Sequence, residues 1–211
     1  MKNYVTYSLL AIAVILIIFI TQAGSLLQDE KITAFNASLV YEGKGDFKKA
    51  IDELQKVYEK NKSNYLFNVR LGWLYYETKD YSNSKKYYQE AININQSSIE
   101  AMTGITLPLA ALKEWNEVQV MYENILKIDP NHYTANLRLG QIYLESGSYA
   151  NAKKYLETAN LQYPAEYEPN LSLGWTYYYL GNTAKAKELL TNALMLSPND
   201  TLATQGLKLV K

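Results

Sequence analysis

Three phrases in this chain are variants of one another: NVRLGWLYYETK from Asn68, NLRLGQIYLESG from Asn136 and NLSLGWTYYYLG from Asn170. Aligning Gly72, Gly140 and Gly174 divides residues 31–200 into five 34-residue blocks without an insertion: 31–64, 65–98, 99–132, 133–166 and 167–200. A fixed period of this length constrains the fold more than any local motif, because it marks one supersecondary unit copied and stacked. Position 8 of the blocks is always small (Ser38, Gly72, Thr106, Gly140, Gly174), and position 11 is Tyr41, Tyr75, Leu109, Tyr143 and Tyr177. Position 20 carries Ala50, Ser84, Val118, Ala152 and Ala186, position 27 carries Val57, Ala91, Ile125, Ala159 and Ala193, and Pro130, Pro164 and Pro198 stand at position 32.

Each block has apolar residues at i, i+3, i+4 and i+7 in two stretches, the pattern of two amphipathic helices. Turn formers separate the stretches, as in GKGD at 43–46, ESGS at 145–148 and LGN at 180–182. Proline at position 32 falls after the second helix, where it removes no helical hydrogen bond. Small residues at positions 8 and 20 are expected to let the two helices approach, with the large residue at 11 filling the space beside them. A single helix pair leaves its apolar face uncovered, so neighbouring pairs must stack.

This pattern resembles the tetratricopeptide repeat. Blocks four and five carry it most fully, with Gly140, Tyr143, Ala152, Leu156, Ala159 and Pro164, then Gly174, Tyr177, Ala186, Leu190, Ala193 and Pro198. The Trp favoured by the family at position 4 is replaced by Asn68, Asn136 and Asn170, and block three departs with Thr106 and Pro108. Pro108 is expected to kink its helix. The resemblance implies an all-α fold, a right-handed α-solenoid of five helix-turn-helix repeats over residues 31–200. Residues 201–211 then form a capping helix that applies Leu202, Ala203, Leu207 and Val210 to the last repeat.

In the family, positions 2, 5, 9, 12 and 13 of the first helices face a concave groove. Here those positions supply Phe35, Leu39, Val69, Trp73, Tyr76, Leu107, Leu137, Gln141, Leu144, Leu171, Trp175, Tyr178 and Tyr179, with Arg70 and Arg138 at position 6. Two readings of the rings stand open: they line a binding groove, where aromatic anchors concentrate binding energy, or they pack between successive repeats. Some family members hold a peptide carboxylate with a Lys/Arg and Asn clamp. Position 5 here reads Phe35, Val69, Thr103, Leu137 and Leu171, so that clamp is missing. An apolar, ring-lined groove suits a protein or peptide partner, and it would also stack sugar rings.

Composition narrows the chemistry. Lys plus Arg and Asp plus Glu number 21 each, so no charge excess points to nucleic acid. The chain has no Cys and one His, His132, in a DPNH turn where it is expected to be solvated. No catalytic residues, metal site or cofactor site is therefore expected. Carboxylates interleaved with lysines, as in DFKKAIDELQKVYEK, read as a solvated face. Asn36, Asn61, Asn95 and Asn199 head sequons that matter only in a glycosylating host.

Residues 1–24 differ from the rest, with Lys2 before the apolar run LLAIAVILIIFI at 9–20 and Asp29-Glu30 after it. They are expected to form either a signal peptide cleaved after Ala23 or one retained anchor, entering the membrane through residues 4–21. Charge order places the remainder outside the cytoplasm, whether periplasmic and secreted or tethered. The sequence thus predicts a non-catalytic scaffold that binds a protein partner there. The alternative is a carbohydrate-handling accessory of polysaccharide export.

Overall fold

The computed structural model describes residues 30–210 together with residue 15. The apolar segment that carries the signal-or-anchor expectation lies outside the described residues, and among those described no helix is long and apolar enough to cross a membrane. The described residues form helices and no strand. Helix α1 spans residues 30–43. It is followed by α2 (Phe47–Asn61), α3 (Tyr65–Glu77), α4 (Tyr81–Ile94), α5 (Ile99–Ala111), α6 (Trp115–Ile128), α7 (Tyr133–Glu145), α8 (Tyr149–Gln162), α9 (Tyr167–Tyr179), α10 (Thr183–Leu196) and α11 (Thr201–Leu209). First helices from α3 onward and second helices from α2 onward each start every 34 residues. Two compact units divide between Gln96 and Ser97, the first holding α1–α4 and the second α5–α11.

Local chemistry fixes the helix ends. Side chains of Asp46, Asn64, Asp80, Ser98, Asn182 and Asp200 accept from backbone N–H groups one turn in, satisfying donors that have no helical partner. His132 does the same for α7, its Nδ1 accepting from Ala135 N at 3.2 Å, so this half-buried residue is a cap and not a freely solvated ring. Within every repeat the turn passes through a left-handed residue at position 15: Gly45, Lys79, Lys113, Gly147 and Gly181, with φ between 62° and 77°. Helix α5 continues through the buried Pro108 to Ala111, because the proline removes only its own N–H bond to the preceding turn and later bonds still form, Leu112 N donating to Pro108 O at 2.9 Å.

Packing inside each pair turns on position 8. A Cβ added to Gly140 would lie 2.5 Å from Leu156 Cγ, at Gly174 2.9 Å from Leu190 Cγ, and at Gly72 2.8 Å from the Tyr88 ring. The glycine therefore makes room for the large residue at position 24 of the second helix. Position 20 completes the approach where Ser84 Oγ donates to Gly72 O at 2.7 Å. In block three Thr106 replaces the glycine, and Tyr122 OH donates to its hydroxyl at 3.3 Å.

Asparagine at position 4 has a role of its own. Asn68, Asn136 and Asn170 are buried, and each carboxamide N–H₂ donates to the carbonyls at positions 32 and 34 of the preceding block. The acceptors are Lys62 and Asn64, Pro130 and His132, and Pro164 and Glu166, at 2.7–3.1 Å. One side chain thus closes the turn between repeats and satisfies two carbonyls that a Trp would leave to water.

Tyrosine at position 11 ties successive repeats. Gln55 donates to the hydroxyls of Tyr75 (3.4 Å) and Tyr87 (2.6 Å), Tyr143 OH donates to Glu123 Oε1 at 3.2 Å, and Tyr177 OH donates to Glu157. The partners Gln55, Glu123 and Glu157 all occupy position 25 of the block before. At the C-terminal end α11 packs on α9 and α10, burying Ala203, Gly206 and Val210. Leu202 is exposed instead of capping, because helical spacing turns position 2 away once Ala203 is buried and Gly206 meets Leu190.

Gly174→Leu is expected to lower thermal stability by about 1–3 kcal/mol or more through overpacking against Leu190, and by more than Trp175→Ala does. A smaller loss than that of the tryptophan variant in paired thermal melts would disprove the position-8 contact.

Alkaline titration reads the tyrosine ties. Burial, then the charge of Tyr87, pushes Tyr58 up to about 12, and burial with the hydrogen bond to Asp200 pushes Tyr167 up to about 12. Both exceed the unfolded value near 10, so their stabilisation is complete below about pH 10 and is lost as pH rises through about 12. Ultraviolet absorbance should show tyrosines ionising late and together with loss of helical circular dichroism. Full ionisation by about pH 10.5 with the helices intact would contradict this.

Ring-bearing faces of the first helices

In the first unit the face of α3 is organised by Glu42 at the end of α1. Its carboxylate accepts from Arg70 Nη2 at 2.7 Å through one oxygen and from Trp73 Nε1 at 2.8 Å through the other. Arg70 Nε also donates to Ser38 Oγ at 2.5 Å, and the guanidinium lies 5.3 Å from the Phe35 ring centroid. Phe35 in turn leans on the buried Phe67, with centroids 5.6 Å apart. Beyond this tie Trp73 stacks on Tyr76 at 6.0 Å, and Tyr76 meets Tyr81 at 5.7 Å. Trp73 remains 36% exposed and Leu39 46%, with Val69 and Tyr76 half-buried.

In the second unit the rings hold one another. Trp175 meets Tyr178 edge-on at 5.7 Å and Tyr179 at 6.0 Å, and Tyr178 meets Tyr179 at 5.3 Å. Tyr179 stacks on Tyr149 of α8 at 4.5 Å with planes 9° apart. Tyr179 stays 49% exposed, while Trp175, Tyr178 and Leu171 also pack on the buried cluster around Leu173 and Tyr177. Beside them Arg138 pairs with Glu168 at 3.1 Å and donates to Gln141 Oε1, whose amide donates to Ser172 Oγ at 3.2 Å. Among the described residues no group of His, Asp and Glu is arranged to hold a metal ion.

Models of the tetratricopeptide repeat match residues 33–64, 67–98, 109–169 and 168–200. The chain belongs to the tetratricopeptide-repeat family. Its fold class is the all-α solenoid of helical repeats, shared with YrrB, described as a TPR protein with an unusual peptide-binding site. That likeness has a TM-score of 0.73 at 19% identity and covers 89% of this chain and 97% of the other. A tetratricopeptide repeat protein from Parabacteroides merdae superposes with a TM-score of 0.75 at 17% identity, covering 86% and 72%. MamA does so with 0.72 at 18% identity, covering 80% and 92%. In sequence, 73 residues are 29% identical to the uncharacterized protein ycf37 of Pyropia yezoensis. The match covers 35% of this chain and 40% of the length of that relative.

Against these tetratricopeptide repeats the expected groove residues divide. Leu137 is corrected: at 2% exposure it belongs to one buried cluster with Ala152, Leu156 and Leu173, and it presents nothing to a partner. Arg70 is largely spent on Glu42 and Ser38, whereas the Arg138 side chain stays 43% exposed. Among the rings, Trp73 and Tyr179 are exposed and Tyr76, Trp175 and Tyr178 half-buried, and each touches a neighbouring ring. Leu107 is exposed and Leu144 half-buried against the second unit's core. Sequence reasoning missed Glu42 and Tyr149. Glu42 shares position 12 with Tyr76 and Tyr178, but its partners Arg70 and Trp73 come from the next block.

Proposed function

We propose that the protein is a non-catalytic scaffold that captures a protein or peptide partner on the ring-bearing faces of its first helices. The observation that carries this is the Trp175, Tyr178, Tyr179 and Tyr149 cluster. The fold needs Tyr177 in its core, yet four further rings stand beside it with Tyr179 half-exposed. Grouped rings with open faces mark binding surfaces, because they bury large area with few rotamers to fix. YrrB, a neighbour in fold, is described as having a peptide-binding site, which supports a peptide partner. We place this scaffold outside the cytoplasm, a reading supported by Lys2 before the apolar run and Asp29-Glu30 after it.

The test uses the two most open rings. A Trp73→Ala, Tyr179→Ala variant should melt within about 1 kcal/mol of the parent, since partly exposed substitutions cost little. Affinity for the protein recovered by crosslinking from native membranes should fall about 30-fold or more, the equivalent of about 2 kcal/mol for lost aromatic anchors. Unchanged affinity at unchanged melting would reject the ring faces as the site. Retention of the parent, but not the variant, on immobilised glycan would show a carbohydrate ligand instead.

Orientation has its own check. A reporter enzyme active only outside the cytoplasm, fused after Lys211, should be active. Activity confined to a cytoplasmic reporter would refute the extracytoplasmic placement.

A further inference from the structure

The two ring faces differ at position 13, one helical turn after the tryptophan. In the second unit that position is Tyr179, and in the first it is Glu77. Residues four apart on a helix are neighbours on its surface, so Glu77 stands beside Trp73. Glu77 is half-buried, and its carboxylate has no hydrogen-bond or ion-pair partner. The other half-buried carboxylates of the first unit are all matched: Glu42 with Arg70 and Trp73, Asp46 with Lys49, Glu53 with Lys56, and Asp80 with Asn83. Among the described residues of that unit, Glu77 is the half-buried carboxylate left unmatched.

Removing part of a carboxylate's hydration without supplying a partner is unfavourable, so Glu77 calls for a cation. Arg70 of the same helix does not serve, since it is committed to Glu42 with its side chain 11% exposed. Trp73 supplies a second and independent element. Its Nε1 already donates to Glu42 at 2.8 Å, and its ring stacks on Tyr76. The exposed 36% of Trp73 therefore offers a partner ring surface and no free donor. An indole face attracts an ammonium or guanidinium placed within about 6 Å of its centroid. Carboxylate and indole thus ask for the same group.

We propose that Trp73 and Glu77 form a subsite for a basic side chain, Arg or Lys, of the partner peptide. The proposal rests on the reading that the ring faces capture a partner, and it names a residue type that the partner carries. The cation lies over the indole and pairs with Glu77. Trp175, with Tyr179 in the place of Glu77, forms no such subsite.

The probe is N-acetyl-arginine methylamide, titrated at constant ionic strength into the isotope-labelled full-length protein and followed by NMR at the indole N–H groups. Each indole is assigned by the loss of its signal in a Trp→Phe variant. A saturable shift is expected at Trp73, larger than any at Trp115 or Trp175. N-acetyl-citrulline methylamide, which has nearly the same shape without the charge, should bind about fivefold more weakly or worse. Glu77→Gln should weaken the arginine probe to a similar degree and leave the helical circular dichroism unchanged. Equal binding of the two probes, undiminished binding to Glu77→Gln, or equal shifts at Trp73 and Trp175 would overturn the subsite. The partner recovered by crosslinking separates this proposal from the reading it rests on. Affinity lost in the Trp73→Ala, Tyr179→Ala variant but kept in Glu77→Gln would overturn the subsite and leave the scaffold standing.

Discussion

The close approach of position 8 to position 24 is the constraint on which the rest of this structure depends. With no Cβ at Gly72, Gly140 or Gly174, a Tyr or Leu of the second helix drops onto the backbone of the first. That contact sets the separation of the pair and the depth at which positions 11 and 27 are buried. Where a hydroxyl residue replaces glycine, the extra atoms are turned to use: Ser38 Oγ donates to Phe35 O at 2.7 Å and accepts from Arg70. Thr106 accepts from Tyr122 in the same way. Hydrogen bonding thus compensates for the volume that a helix pair cannot otherwise accommodate.

Neighbouring repeats are then joined by polar ties at the edges of apolar contacts. Position-11 tyrosines place their rings in the core and their hydroxyls on the position-25 side chain of the preceding repeat. Burial raises the pKa of Tyr75, Tyr143 and Tyr177, and nearby negative groups act in the same direction. Each hydroxyl therefore stays a neutral donor or acceptor throughout the physiological range. The position-4 asparagines add a second tie through the turn between repeats. A stack held by contacts between neighbours needs this redundancy, since each repeat is too small to stand alone.

Much of this was legible from the period, which gave the helix pairs, the glycine contact and the ring positions. Features that depend on a partner formed elsewhere in the chain were not legible. The asparagines stood out as departures from the family, but their acceptors are turn carbonyls that converge only after folding. Lys79 and Lys113 hide the left-handed position that Gly45, Gly147 and Gly181 announce, because lysine carries no mark of positive φ. Glu42 read as one more solvated carboxylate until α1 met α3. Leu137 shares position 5 with half-buried Val69 and Leu171, yet it is buried in the cluster that α8 and α9 help to form.

The rings of the two proposed faces are held by different means. In the first unit a carboxylate fixes the indole: Glu42 holds Trp73 Nε1 while the Arg70 ion pair, 11% and 26% exposed at its two side chains, holds Glu42. A shielded pair of this kind is less screened by salt than a surface one, so the orientation of Trp73 is fixed within the chain itself. In the second unit Trp175 and the tyrosines are oriented only by contact with one another and with the apolar core. Such ring pairs contribute about 0.5–1.5 kcal/mol each beyond burial, and they allow a ring to slide where a hydrogen bond would not. On the proposed scaffold reading, the first face would suit a partner of fixed register, and the second one whose contacts vary. In such a scaffold both would lower the ordering cost of association, the first by fixing the indole through Glu42 and the second by crowding rings whose few rotamers are already restricted.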